Sequence, residues 1–238
     1  MNRITGIDIF RGMAIVFMVI FHICYDLNYF KFTAIPLYSS GFWINFRLLI
    51  VNMFLITAGI SLALVHKEGI RWHSVKNRII QLGLASVAIS MATYMVFPRS
   101  WIYFGVIHFI LVASIVGLLF VSYPKVSLGL SIAILIGYFF FHFNMHPVFE
   151  KIAPALHLPM RYTEDLVPFI PWFAATLFGI ATVGFDWHLK VFSNSFFEAK
   201  TKAHNTLALI GKKALPIYLL HQPLIFGTVY VVHLFFQV

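Results

Sequence analysis

Charge is what this chain has least of. Of its 238 residues only 11% are Asp, Glu, Lys or Arg, and only eight are acidic. A water-soluble domain of this size needs far more charged surface, so that class is excluded. Cysteine is nearly absent as well. Cys24 stands alone inside an apolar run, which rules out an intrachain disulfide. No glycine-rich phosphate loop, internal repeat, low-complexity stretch or soluble domain interrupts the chain.

What is present is hydrophobic. Apolar residues make up 61% of the sequence, and mean hydropathy is +0.88. The apolar runs are near 20 residues long and do not alternate, which points to spanning helices rather than barrel strands. The composition therefore predicts an all-α polytopic membrane helix bundle, one transmembrane domain over residues 1–238. Seven spans are expected, at about 9–29, 42–65, 79–97, 102–121, 126–143, 166–184 and 213–236. The first run is too long for a cleaved signal peptide and lacks a small-residue cleavage site after it, so it reads as a retained span.

The net charge is +9 with a pI near 9.7. In this setting the excess reads as the basic loops of a membrane protein, with no nucleic-acid partner. One side of the membrane receives Arg3, Lys67, Arg71, Lys76, Arg78, Lys125, Lys190, Lys200, Lys202, Lys212 and Lys213. The other receives Lys31, Arg99, Lys151 and Arg161. Eleven against four predicts a cytoplasmic N-terminus and, with seven spans, an external C-terminus. Segment 196–212 reads as a short amphipathic helix on the cytoplasmic surface.

The first span carries the most informative pattern. In "DIFRGMAIVFMVIFHICYDLNYF", residues 8–30, four polar residues recur on one helical face. Relative to Asp8, Asp26 lies at about 0°, His22 at about −40° and Arg11 at about −60°. Asp8 and Asp26 are roughly 27 Å apart along the axis. Such a stripe faces a bundle interior or a water-filled cavity, because ionisable groups in hydrocarbon are costly. Asp8 and Arg11 read either as a helix-start ion pair or as a site at the cytoplasmic mouth where Arg11 meets an anionic ligand. His22 and Asp26, four residues apart, read either as a polar packing pair or as a base and its orienting carboxylate. Cys24 points away from His22 and reads as packing.

Further candidates lie in other spans. Arg47, near the depth of His22, is a partner for Asp26 or an oxyanion stabiliser. Asn52 lies about 140° round from it and need not share the site. His108, His221 and Gln222 are intramembrane polar residues, the last two just before Pro223. Each reads as a satisfied hydrogen-bonding group or as part of a substrate or cofactor site. Trp172, at the outer start of the sixth span, is an interfacial anchor or a sugar-stacking ring. Glu164 and Asp165 either neutralise an amino sugar or are simply solvated. His142 and His146 have helical metal-ligand spacing, but no third ligand accompanies them, so no metal is expected. The loop "HKEGIRWHSVKNR", 66–78, is an orientation signal that also offers Arg71, Lys76 and Arg78 to phosphates.

The stretch "RITGIDIFRGMAIVFMVIFHICYDLNYF" resembles the membrane proteins related to the catalytic domain of heparan-alpha-glucosaminide N-acetyltransferase. The similarity continues through "NMFLITAGISLAL", "FGVIHFI", "EDLVPFIPWFAATLFGI" and "LPIYLLHQPLIFG", in family order. The resemblance implies a bacterial inner-membrane acyltransferase that moves an acetyl group from cytoplasmic acetyl-CoA to an amine or hydroxyl of an extracytoplasmic sugar or glycan. The lysosomal member of that group has a histidine in the loop after this span and an asparagine where this chain has His22. Here the loop "FKFTAIPLYSSG" has no histidine, so the base is expected at His22.

The expected assignment is therefore His22, Asp26 and Arg47 as catalytic residues. Asp8, Arg11, His108, Trp172, His221 and Gln222 are expected in substrate or cofactor binding. The partners are acetyl-CoA, the glycan acceptor and the bilayer, with a homodimer left open. Two other readings stay open: a small proton- or solute-translocating protein using the same stripe, and a structural partner in envelope glycan synthesis.

Overall fold

The computed structural model describes residues 4–159, 163–198 and 201–236. Arg3, Arg161 and Lys200, which entered the orientation count, lie outside the described residues. Among the described residues every regular element is a helix, and there is no strand. Five helices are long and apolar enough to cross a membrane: α1 (Thr5–Tyr29), α2 (Gly41–Val65), α3 (Trp72–Val96), α5 (Pro124–Phe141) and α10 (Ala214–Phe236). Two shorter apolar helices are α4 (Val106–Gly117) and α7 (Phe169–Gly184). The remaining helices are α6 (His146–Ile152), α8 (Trp187–Phe192) and α9 (Lys202–Lys212), with a 3-10 turn at Ser195–Phe197.

The differences from the sequence expectation have local causes. Helix α3 starts at Trp72, well before the apolar run at 79, since Trp72–Arg78 contains no Gly or Pro to stop it and Val75 is buried. Hydropathy sees only the apolar part of a helix that continues past it. Helix α4 is 12 residues long, shorter than the expected 102–121. The segment before it is extended, with Val167 N–H donating to the Phe104 carbonyl at 3.0 Å. The Asp165 carboxylate then accepts from Val106 N–H at 2.9 Å, a distant cap on the first turn of α4. Asp165 is thus engaged by the fold, and Glu164 accepts from the Ser100 hydroxyl at 2.7 Å. Within the amphipathic segment, α9 begins at Lys202, where the Thr201 hydroxyl accepts from His204 N–H at 3.2 Å.

Two compact units divide the described chain. The residues up to Phe54 and from Lys190 onward form one; Leu55–Leu189 form the other. In the first unit, α1 packs on α9 and α10. The α1–α9 crossing is made by glycines on both sides. A Cβ at Gly12 would strike the Leu207 carbonyl oxygen, and one at Gly211 the Asp8 carbonyl oxygen. Only the missing side chains let the two backbones meet at this distance. Rings join the far end of α1 to α10, with Phe30 and Phe226 centroids 4.9 Å apart. The first half of α2 reaches α1 through Phe46 on Phe17 at 5.5 Å and Trp43 on Phe21 at 6.1 Å.

In the second unit α5 and α7 pack along their length, and the Ser131 hydroxyl donates to the Ala174 carbonyl at 2.8 Å. Helix α4 meets α3 through Arg78 Nε donating to Ser114 Oγ at 2.9 Å. It meets α7 through Phe109 and Phe169, whose centroids are 5.7 Å apart.

Candidate active site

The polar face of α1 is turned inward, as its composition demands. Asp8 is 3% exposed and Asp26 is fully buried. Against Asp26 and His22 lies α10, which brings His221 and Gln222 to the same place.

The pairing differs from the expectation. Asp26 does not orient His22. Its Oδ1 accepts from Gln222 Nε2 at 2.8 Å. His22 instead faces His221, with ring centroids 4.8 Å apart and planes at 62°. The i, i+4 spacing puts His22 and Asp26 on one face, but the crossing helix supplies a better donor to the carboxylate than the neighbouring ring.

The tautomer of His221 follows from its partner. Nδ1 lies 2.6 Å from the Tyr218 carbonyl oxygen, which can only accept, so Nδ1 carries the proton. The lone pair is then on Nε2. Four polar atoms of this cluster are buried without a protein partner: His22 Nδ1, Asp26 Oδ2, His221 Nε2 and Gln222 Oε1. Buried polar atoms are nearly always paired within the protein or with a bound group, so a cluster of four singles out this crossing as a candidate site.

Arg47 is exposed and makes no ion pair with Asp26. On α2 it shares a face with Trp43, Ile50 and Phe54, and Phe46 stands one position before it. Those rings touch Phe21 and Phe17 of α1 and Tyr218 of α10. By helical register Arg47 lies between Trp43 and Ile50 on α2, and its side chain is exposed. Nearer the start of α1, Arg11 Nη1 sits 3.5 Å from Asp8 Oδ1 and donates to the Gly211 carbonyl at 3.5 Å. Asp8 lies in the first turn, where the helix dipole favours a negative charge.

The other expected residues belong to the second unit. His108 Nε2 lies 3.0 Å from Ser90 Oγ, whose hydroxyl donates to the Ile102 carbonyl at 2.8 Å. That chain makes His108 Nε2 the donor and leaves the Ser90 proton on a carbonyl, so the pair is no Ser–His nucleophile. Trp172 is half-buried near the start of α7. His142 caps α5 in the left-handed conformation, with φ of 53°. Among the described residues no group of three His, Cys, Asp or Glu is placed to hold a metal ion.

The basic loop has its own order. Arg71 pairs with Glu68 at 3.2 Å, and Arg71 N–H donates to Nδ1 of the buried His66 at 3.0 Å. Burial first, then the nearby Arg78 and Arg71 charges, hold His66 below the ordinary histidine value. A lowered histidine value means the unfolded loop binds the proton more readily. The stabilisation is therefore complete above about pH 6.5 and is lost as pH falls below it. Amide exchange at Arg71, corrected for intrinsic rates, is expected to speed up between pH 7.5 and 5.5 and to lose that response in His66→Gln. Equal protection at both pH values would show that His66 does not hold this turn.

The sequence reading missed the residues that build the cluster through their backbone. The Tyr218 carbonyl fixes the His221 tautomer, and Gly211 lets α9 reach α1. Tyr218 stands three residues before His221, a helical spacing that signals the first of these; nothing local signals the second.

Apolar spanning helices, with two imidazoles, a carboxyl and a carboxamide whose unpartnered atoms are buried at a helix crossing, define a polytopic integral membrane protein with an internal polar site. The chain matches the family model described as heparan-alpha-glucosaminide N-acetyltransferase, catalytic, over residues 3–223. It belongs to that family, and so to a group of membrane acetyltransferases. No curated protein and no solved structure matches the chain.

Proposed function

We propose that the protein transfers an acetyl group from acetyl-CoA, taken up on the cytoplasmic side, to an amine or hydroxyl of an extracytoplasmic sugar or glycan. The membrane is proposed to be a bacterial inner membrane. The observation that carries the reading is the cluster of unpartnered polar atoms on His22, Asp26, His221 and Gln222, within a family of acetyltransferases.

In this reading the acceptor N–H or O–H lies against His22, which takes the proton as the nitrogen or oxygen attacks the thioester carbonyl. Arg47 stabilises the tetrahedral oxyanion. Collapse breaks the C–S bond, and the CoA thiolate leaves and takes up a proton. Asp26, held by Gln222, keeps a carboxyl one turn from the base. Asp8 and Arg11 serve the donor end of the stripe, where Arg11 can exchange its contacts for a CoA phosphate. In the second unit His108 and Trp172 stay proposed substrate-binding residues, His108 through its unpartnered Nδ1. Transfer is direct, without an acetyl-histidine.

The test is transfer of label from radiolabelled acetyl-CoA to glucosamine or to crude envelope glycan by the purified full-length protein. Labelled product is the expected result. Neither acetyl-CoA binding nor turnover, with proton-coupled uptake in vesicles, would move the stripe to the translocation reading that intramembrane Asp and His also suit.

A further inference from the structure

We propose that His221 is the proton partner of His22, a relay residue in which the proton taken from the acceptor is held before it reaches the thiolate. The inference rests on the acetyltransferase reading above.

Three observations carry it. The two rings face each other at 4.8 Å between centroids. His221 is locked with its proton on Nδ1 by the Tyr218 carbonyl, so Nε2 can only receive. His22 Nδ1 and His221 Nε2 are both buried and neither has a hydrogen-bond partner in the protein. Asp26, the obvious alternative, has Oδ1 held by Gln222 and Oδ2 without a hydrogen bond to His22.

The proton balance closes. Neutral His22 with its proton on Nδ1 takes the acceptor proton on Nε2 as the new C–N or C–O bond forms. Rotation of the ring about χ2 aims Nδ1–H at His221 Nε2, and the proton passes across. His221 becomes an imidazolium whose Nδ1–H still points at the Tyr218 carbonyl, whose dipole stabilises the positive charge. When the C–S bond breaks, the leaving thiolate takes the proton from His221. Both imidazoles end neutral, and the products are the acetylated acceptor and CoA thiol. His22 ends as its Nε2–H tautomer, which returns to the Nδ1–H form by proton exchange with water before the next turnover.

The experiment uses the purified full-length protein with acetyl-CoA and glucosamine. His221→Gln retains an amide N–H for the Tyr218 carbonyl but has no titrating nitrogen. It is expected to lower kcat by about 10² or more, the scale of a lost acid–base group, with the KM for acetyl-CoA within about twofold. Imidazole added to His221→Ala is expected to restore part of the lost kcat. The proton inventory of wild-type kcat in mixed H2O and D2O is expected to curve, as two transfers require. A His221→Gln variant with wild-type kcat, a loss confined to KM, or a linear inventory would each overturn the relay while leaving the acetyltransferase intact. A folded His221→Ala that imidazole does not rescue would also overturn it. A wild-type protein without transfer activity would overturn both.

Discussion

His22→Ala is expected to lower acetyl transfer by about 10² to 10⁴-fold, with acetyl-CoA binding retained. The residue stands 22 positions into the chain on the buried stripe of α1, against His221 and one turn before Asp26. Removing the imidazole takes away the group proposed to accept the acceptor proton. It leaves in place Arg11, which lies near the start of the same helix and is held by Asp8 and Gly211. Binding and chemistry should therefore separate in this variant. Initial rates and equilibrium acetyl-CoA binding, measured side by side, check this. Unchanged turnover would remove His22 from the reaction; loss of binding in step with turnover would make it a packing residue.

The second large effect concerns stability. Gln222→Leu is expected to destabilise the protein by about 1–3 kcal/mol, because it strips the donor from a fully buried carboxyl. The double variant Asp26→Leu/Gln222→Leu should be less destabilised than the sum of the two single changes. Replacing both partners with apolar groups removes the cost of an unsatisfied buried polar group. Unfolding in detergent micelles, followed as a double-mutant cycle, measures the coupling. Additive single effects would mean that the 2.8 Å contact contributes nothing of its own.

Much of this architecture is legible in local sequence. The ends of α1, α2, α5 and α10 lie within a few residues of the apolar runs that foretold them, since hydrocarbon-length apolar runs have few other ways to satisfy their backbone. The polar stripe was equally legible: Asp8 and Asp26 are buried on the face that helical periodicity assigned them. Where extended backbone pairing and a remote cap intervened, as at the start of α4, hydropathy overran the helix.

The partnerships within the site were not legible. Sequence spacing joined His22 to Asp26, and the fold joined Asp26 to Gln222, 196 positions away, and His22 to His221. Periodicity fixes which face of a helix a residue occupies, because that depends on the residue's own backbone. Which group meets that face depends on how α10 crosses α1 and on the glycine contact that seats α9, and those are decided by packing between residues distant in the chain. The sequence alone determined a membrane helix protein with an ionisable stripe; the tertiary structure decided that its histidine lies opposite another histidine.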